Sequence, residues 1–130
     1  MRTNKKVLVI DNTVSHSTSY QLLIREGYDV DMVHSSDVGL QQLEAQPYDI
    51  IILQESREAK SWQLCEKIRH LCHMPLIVIS TNASADTCVK AINAGADYFL
   101  RKPFGPLEFL ARVQSLLQRT PIKQPVPVGS

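Results

Sequence analysis

Ile50-Ile51-Ile52-Leu53, flanked by Asp49 and Gln54, is a continuous apolar run in which three of four residues are β-branched. Val7-Leu8-Val9-Ile10 and Leu76-Ile77-Val78-Ile79 have the same character, and Tyr98-Phe99-Leu100 is a shorter relative. Strands that alternate apolar and polar residues keep one face wet, whereas continuous runs of this kind are covered on both faces, as in a parallel sheet between helices. A further segment, Tyr28-Asp-Val-Asp-Met-Val33, does alternate and is expected near a sheet edge.

Helix-length segments separate the runs. Ser17 to Glu26 carries Tyr20, Leu23 and Ile24 at helical spacing and stops at Gly27. Ser36 to Ala45 has Ser35 and Ser36 as capping residues, carries Val38, Leu40 and Leu43, and is ended by Pro47. Trp62 to Leu71 places Leu64, Cys65, Ile68 and Leu71 on one face, and Ala83 to Ala94 carries Val89 and Ile92 before Gly95. Leu107 to Gln118 carries Leu110, Val113, Leu116 and Leu117, with Pro106 suited to its first turn. Five strand–helix repeats with short connections predict an α/β fold: a doubly wound five-stranded parallel sheet, strand order 2-1-3-4-5, helices on both faces. In such sheets the functional crevice lies at the carboxyl ends of strands one and three. That gathers Asp11, Asn12, Gln54, Glu55, Ser80 and Lys102 around one mouth.

The 130 residues, of which 44% are hydrophobic and 21% charged, are enough for one domain with its own core. No apolar run reaches membrane-spanning length and no signal peptide is read at Met1, so a cytoplasmic location with no membrane partner is expected. A net charge of +1 gives no reason for direct nucleic-acid binding. Residues 1–119 are read as the domain, and 120–130, with three prolines and no helical period, as an extended linker or disordered tail. Cys65, His70, Cys72 and His73 lack metal-ligand spacing, and Cys65 falls on an apolar helix face, so no metal is assigned. There is no Gly-rich phosphate loop or nucleophile elbow, and no enzyme class or cofactor is indicated.

The stretch Ala94-Gly-Ala-Asp-Tyr-Phe-Leu-Arg-Lys-Pro-Phe104 is similar to the Gly-Ala-x-x-Tyr/Phe-Leu-x-Lys-Pro-Phe signature of the receiver domains of two-component response regulators. Leu8-Val-Ile-Asp11, Asp49-Ile-Ile-Ile-Leu53, Leu64-Cys-Glu-Lys-Ile-Arg69 and Pro75-Leu-Ile-Val-Ile-Ser80 fall at that family's spacings, so the resemblance covers about residues 5 to 119. It implies a flavodoxin- and CheY-like fold, including a cis peptide at Lys102-Pro103. It also implies a pocket in which carboxylates bind Mg²⁺ and one of them accepts a phosphoryl group. On this resemblance Asp11 holds the first acidic place, Asn12 the second, Gln54 the acceptor place, Ser80 the hydroxyl, Lys102 the cation and Phe99 the aromatic switch place. Taken alone, Asp11 is an acidic residue after a strand, Ser80 a turn cap and Phe99 a packed ring.

Gln54 changes what this pocket can do. A glutamine amide is not a nucleophile toward phosphorus, and a hard, reluctantly dehydrated cation needs anionic oxygen ligands. The usual pocket carries a net charge of about −2 before the metal binds, whereas Asp11 against Lys102 sums to zero. Lys102 is therefore expected to pair with Asp11 or with the Gln54 amide. Glu55 comes one residue late and turns to the other face. The following stretch, Glu55-Ser-Arg-Glu-Ala-Lys-Ser61, lacks the Pro and Gly of the family and is shorter. These departures read as a pseudo-receiver that signals independently of aspartyl phosphorylation and Mg²⁺.

The last helix is similar to that of OmpR/PhoB-type transcription factors through Glu108-Phe-Leu-Ala-Arg112. The resemblance implies a homodimer through helix 4, strand 5 and helix 5, with Lys90 and Glu108 as one ion pair and Arg112 as a cation of another. The acid usual for Arg112 falls at Tyr98, leaving Asp97 as its substitute, and Arg101 is placed on the same face. The bland reading is a solvated charged face. The expectation is thus a domain controlling a transcription regulator by dimerisation, with a partner regulator protein as a further contact and DNA reached only through a domain outside this chain. Two alternatives stand beside it: a stand-alone docking module, and a residual phosphotransfer switch with a non-standard acceptor.

Overall fold

A computed structural model describes residues 5–11, 18–54, 61–80 and 84–119. In chain order the elements are β1 (Lys6–Asp11), α1 (Thr18–Arg25), β2 (Asp29–Val33), α2 (Ser36–Ala45), β3 (Ile50–Gln54), α3 (Ser61–Leu71), β4 (Leu76–Ser80), α4 (Ala85–Asn93), β5 (Tyr98–Arg101) and α5 (Pro106–Arg119). The strands form one parallel sheet of order β2-β1-β3-β4-β5. The alternating segment is the edge strand β2, the three long apolar runs are the central strands β1, β3 and β4, and the shorter Tyr98-Phe99-Leu100 run forms the other edge, β5.

Alternation along the central strands divides the core in two. Val7, Val9, Ile50, Ile52, Ile77 and Ile79 pack under Tyr20 and Leu23 of α1 and Phe109, Leu110, Val113, Leu116 and Leu117 of α5. Leu8, Ile10, Ile51, Leu53, Leu76 and Val78 pack under Leu64, Cys65 and Ile68 of α3 and Ala91 of α4. Gly39 lets α2 come close to β1, since a Cβ there would lie 2.6 Å from Ile10 Cδ1. Helix ends follow local rules: Ser35 Oγ accepts from Val38 N at 3.1 Å and Ser84 Oγ from Asp86 N at 3.2 Å. Gly27 and Gly95 turn the chain out of α1 and α4 at φ 98° and 123°. The Lys102-Pro103 peptide is cis, as the resemblance implied.

Several apolar helix residues lie elsewhere than periodicity suggests. Ile24, Val38, Leu71, Val89 and Ile92 are exposed. In α4 the buried positions are Thr87 and Ala91, so small side chains let the helix sit close to its neighbours while Val89 and Ile92 turn outward. In α2 the buried position is Gly39 rather than its neighbour Val38, for the same steric reason. Asn12, Glu55 and the loop after β3, and the tail 120–130 lie outside the described residues.

Candidate functional site

The carboxyl ends of β1, β3 and β4 carry Asp11, Gln54 and Ser80, each only 2% exposed. Asp11 and Gln54 are direct register partners on adjacent strands, so their side chains leave the sheet on the same face, that of α1 and α5. Ser80 follows the opposite alternation, with Leu76 and Val78, as does Phe99, the register partner of Val78. The expected cluster is therefore assembled at one sheet end but split between its faces. Asp11 and Gln54 look toward α1; Ser80 and Phe99 look toward α3 and α4. Lys102, half-buried, is tied to the β4 end by its backbone N–H, which donates to Ser80 O at 3.0 Å.

A residue that periodicity assigned only to the core completes the first half. Tyr20 Oη donates to Gln54 Oε1 at 3.0 Å, and the bond is buried. Burial and, secondarily, the nearby Asp11 charge raise the Tyr20 pKa well above the usual phenol value, so its hydroxyl remains a donor throughout the physiological range. The partner that the structure gives the Gln54 oxygen is thus the Tyr20 hydroxyl, beside the Lys102 pairing expected from the sequence. The physical reason is reach, since a tyrosine in the helix after β1 arrives over the β1 and β3 ends with its ring already buried. The available signal was that a buried tyrosine hydroxyl needs a polar partner.

The second expected constellation lies on α4, β5 and α5. Lys90 Nζ is 3.2 Å from Asp86 Oδ2, one turn earlier on α4, and 4.8 Å above the ring centroid of Trp62. Arg112 stacks over Tyr98 with its Cζ 4.3 Å from the ring centroid. Two cations assigned to ion pairs across an interface are thus held by aromatic rings of their own chain. Asp97 is engaged away from Arg112. Its Oδ2 accepts from Arg69 Nη2 at 2.7 Å and from Leu76 N at 2.8 Å, while Arg69 Nε donates to Gly95 O at 2.8 Å. Arg101 and Glu108 are exposed, as are Val89 of α4 at 55% and Leu107 of α5 at 74%. Cys65 is fully buried, and among the described residues no group of three His, Cys, Asp or Glu side chains is placed to hold a metal ion. No described helix is long and apolar enough to cross a membrane.

A sheet of this order with an acid, a hydroxyl and a Lys-Pro turn at its carboxyl end defines the receiver class. The response regulator receiver domain family matches residues 7–114, most of the chain, and the chain belongs to that family. Response regulator ArlR of Staphylococcus epidermidis is 29% identical over 125 residues, covering 95% of this chain and 57% of the relative. An uncharacterized transcriptional regulatory protein, YclJ of Bacillus subtilis, is 29% identical over 116 residues, covering 88% of this chain and 51% of the relative. The chain thus spans little more than half the length of these curated relatives. Among solved structures, a CheY-like receiver domain from Methanospirillum hungatei superposes with a TM-score of 0.82 at 26% identity, over 90% of this chain and 96% of the other. A two-component response regulator from Clostridium difficile gives 0.79 at 25% identity, over 89% and 98%.

Proposed function

We propose that this receiver domain is a pseudo-receiver of OmpR/PhoB type that signals without aspartyl phosphorylation or Mg²⁺. The observation that carries the reading is the buried Tyr20–Gln54 hydrogen bond in the acceptor place. The residue there is an amide, its oxygen already accepts a hydrogen bond, and Asp11 is the sole carboxylate of the five pocket residues named from the sequence. A divalent cation finds too little anionic oxygen in that set, and no carboxylate stands at the acceptor place to attack a phosphoryl donor.

On this reading the working surface is the α4–β5–α5 face, and the partner is a second copy of the chain. Val89 and Leu107 supply exposed apolar area, with Lys90, Arg101, Glu108 and Arg112 as the polar surround and Asp97 at its margin, the arrangement a closed two-fold interface needs. The domain then serves a longer transcription regulator, with 120–130 as linker to a DNA-binding domain. The half-length match to YclJ and ArlR supports this. Beryllofluoride with Mg²⁺, a mimic of the phosphorylated aspartate, gives the test by amide NMR. The expected spectrum shows no shifts at Asp11, Gln54 or Ser80; saturable shifts at those amides would overturn the reading.

A further inference from the structure

Tyr20 has a second contact besides its hydrogen bond to Gln54. Its ring meets Phe109 of α5 edge to face, with centroids 6.1 Å apart and planes at 70°. Phe109, fully buried, is in turn 5.7 Å from Phe104, in the connection between β5 and α5 and two residues past Lys102. One line of packed groups therefore runs from the buried Gln54 amide through the Tyr20 hydroxyl and ring to buried Phe109 and partly buried Phe104. We propose that Tyr20 is a positioning residue that couples the Gln54 place to the last helix, by a route along the α1–α5 face of the sheet.

Three physical features make the line more than adjacency. The Tyr20 hydroxyl donates to the Gln54 oxygen, a bond that fixes the polar end of its ring. An edge-to-face pair is directional, so a rotated or withdrawn Tyr20 ring changes what Phe109 rests on. Phe109 lies on the buried face of α5, while its neighbours Leu107, Glu108 and Arg112 lie on the exposed one. A shift of the helix at Phe109 is carried rigidly to the residues of the proposed interface. Ser80 and Phe99, on the other face of the sheet, take no part in this route.

The test is a double-mutant cycle of Tyr20→Phe and Gln54→Met in the whole chain. Tyr20→Phe keeps the ring and deletes only the donor; Gln54→Met keeps the length and deletes the acceptor. Amide shifts at Phe104, Phe109 and Val113 are read by NMR, and the self-association constant by sedimentation. Each single variant is expected to shift the three α5-side amides and to weaken association by at least about fivefold. The double variant is expected to match the singles, because both remove one bond. Shifts confined to the neighbourhoods of residues 20 and 54, or additive effects in the double variant, would overturn the coupling. The association readout rests on the proposed dimer, but the amide readout does not. A monomeric chain with coupled α5 shifts would sink the dimer and keep the relay, and a dimer with local shifts would do the reverse. Gln54→Glu, which retains an acceptor oxygen, is expected to restore the α5 shifts toward the native positions.

Discussion

Gln54→Asp is expected to destabilise the domain by about 3 kcal/mol at pH 7. Two effects add. The shorter side chain withdraws the acceptor from Tyr20 Oη, which at present is 3.0 Å from Gln54 Oε1; losing a buried hydrogen bond costs about 1 kcal/mol. The new carboxylate also stands in register with Asp11 on the adjacent strand, at about 4.8 Å between backbones, in a place 2% exposed. Burial and the like charge both raise its pKa above the unfolded value near 4, and a rise of about 1.5 units contributes roughly 2 kcal/mol. A carboxyl with a raised folded pKa binds more protons when folded. The charge penalty is therefore fully present above the folded pKa and disappears as pH falls toward 4. Urea unfolding at pH 7 and near pH 4.5 reads this directly: the gap between variant and native chain should narrow by roughly 1 kcal/mol at the lower pH, the pH-independent hydrogen-bond loss remaining. An equal gap at both values would show that the introduced carboxyl is not buried beside Asp11.

Asp97→Ala should cost about 2 kcal/mol, although the ion pair it breaks is partly wet. The side chains of Arg69 and Asp97 are 21% and 36% exposed, so the charge attraction alone contributes less than about 1 kcal/mol. The larger part comes from Leu76 N, which opens β4 and donates to the same Asp97 oxygen at 2.8 Å. Alanine leaves that part-buried donor without its carboxylate acceptor, at about 1–2 kcal/mol. Asp97→Asn keeps an oxygen in place and should cost less than half as much. Thermal unfolding of the two variants separates the contributions, since a loss dominated by the Arg69 ion pair would make the asparagine and alanine variants equal. The packing around Gly95 fits the same clamp: a Cβ there would lie 2.5 Å from Arg69 Cγ.

The sheet was legible because burial on both faces leaves a mark in every residue of a strand. Ile50-Ile51-Ile52-Leu53 cannot alternate if both faces are covered, and the alternating 28–33 segment, expected near a sheet edge, is the edge strand β2. Helix faces were less legible where close packing selects small residues. Thr87, Ala91 and Gly39 are the buried positions of α4 and α2, and hydrophobicity alone pointed to Val89, Ile92 and Val38 instead. At the pocket, residue identity and order along the chain located Asp11, Gln54, Ser80 and Lys102. Their partners depend on side-chain reach across elements, which no spacing encodes. Tyr20 looked like a core residue, and it is one, with a hydroxyl that meets Gln54. Asp97 was read as a partner for Arg112, and within the chain it is Arg69 that reaches its carboxylate.

These contacts give a receiver domain in which Tyr20 bonds Gln54 at the carboxyl end of the sheet, and in which Val89 of α4 and Leu107 of α5 face solvent. The most direct measurement of that account is sedimentation equilibrium of the purified domain with and without beryllofluoride and Mg²⁺. The account predicts a dimer of the same association constant in both conditions, because no acceptor carboxylate is present to be modified. A monomer that dimerises only on addition would contradict it.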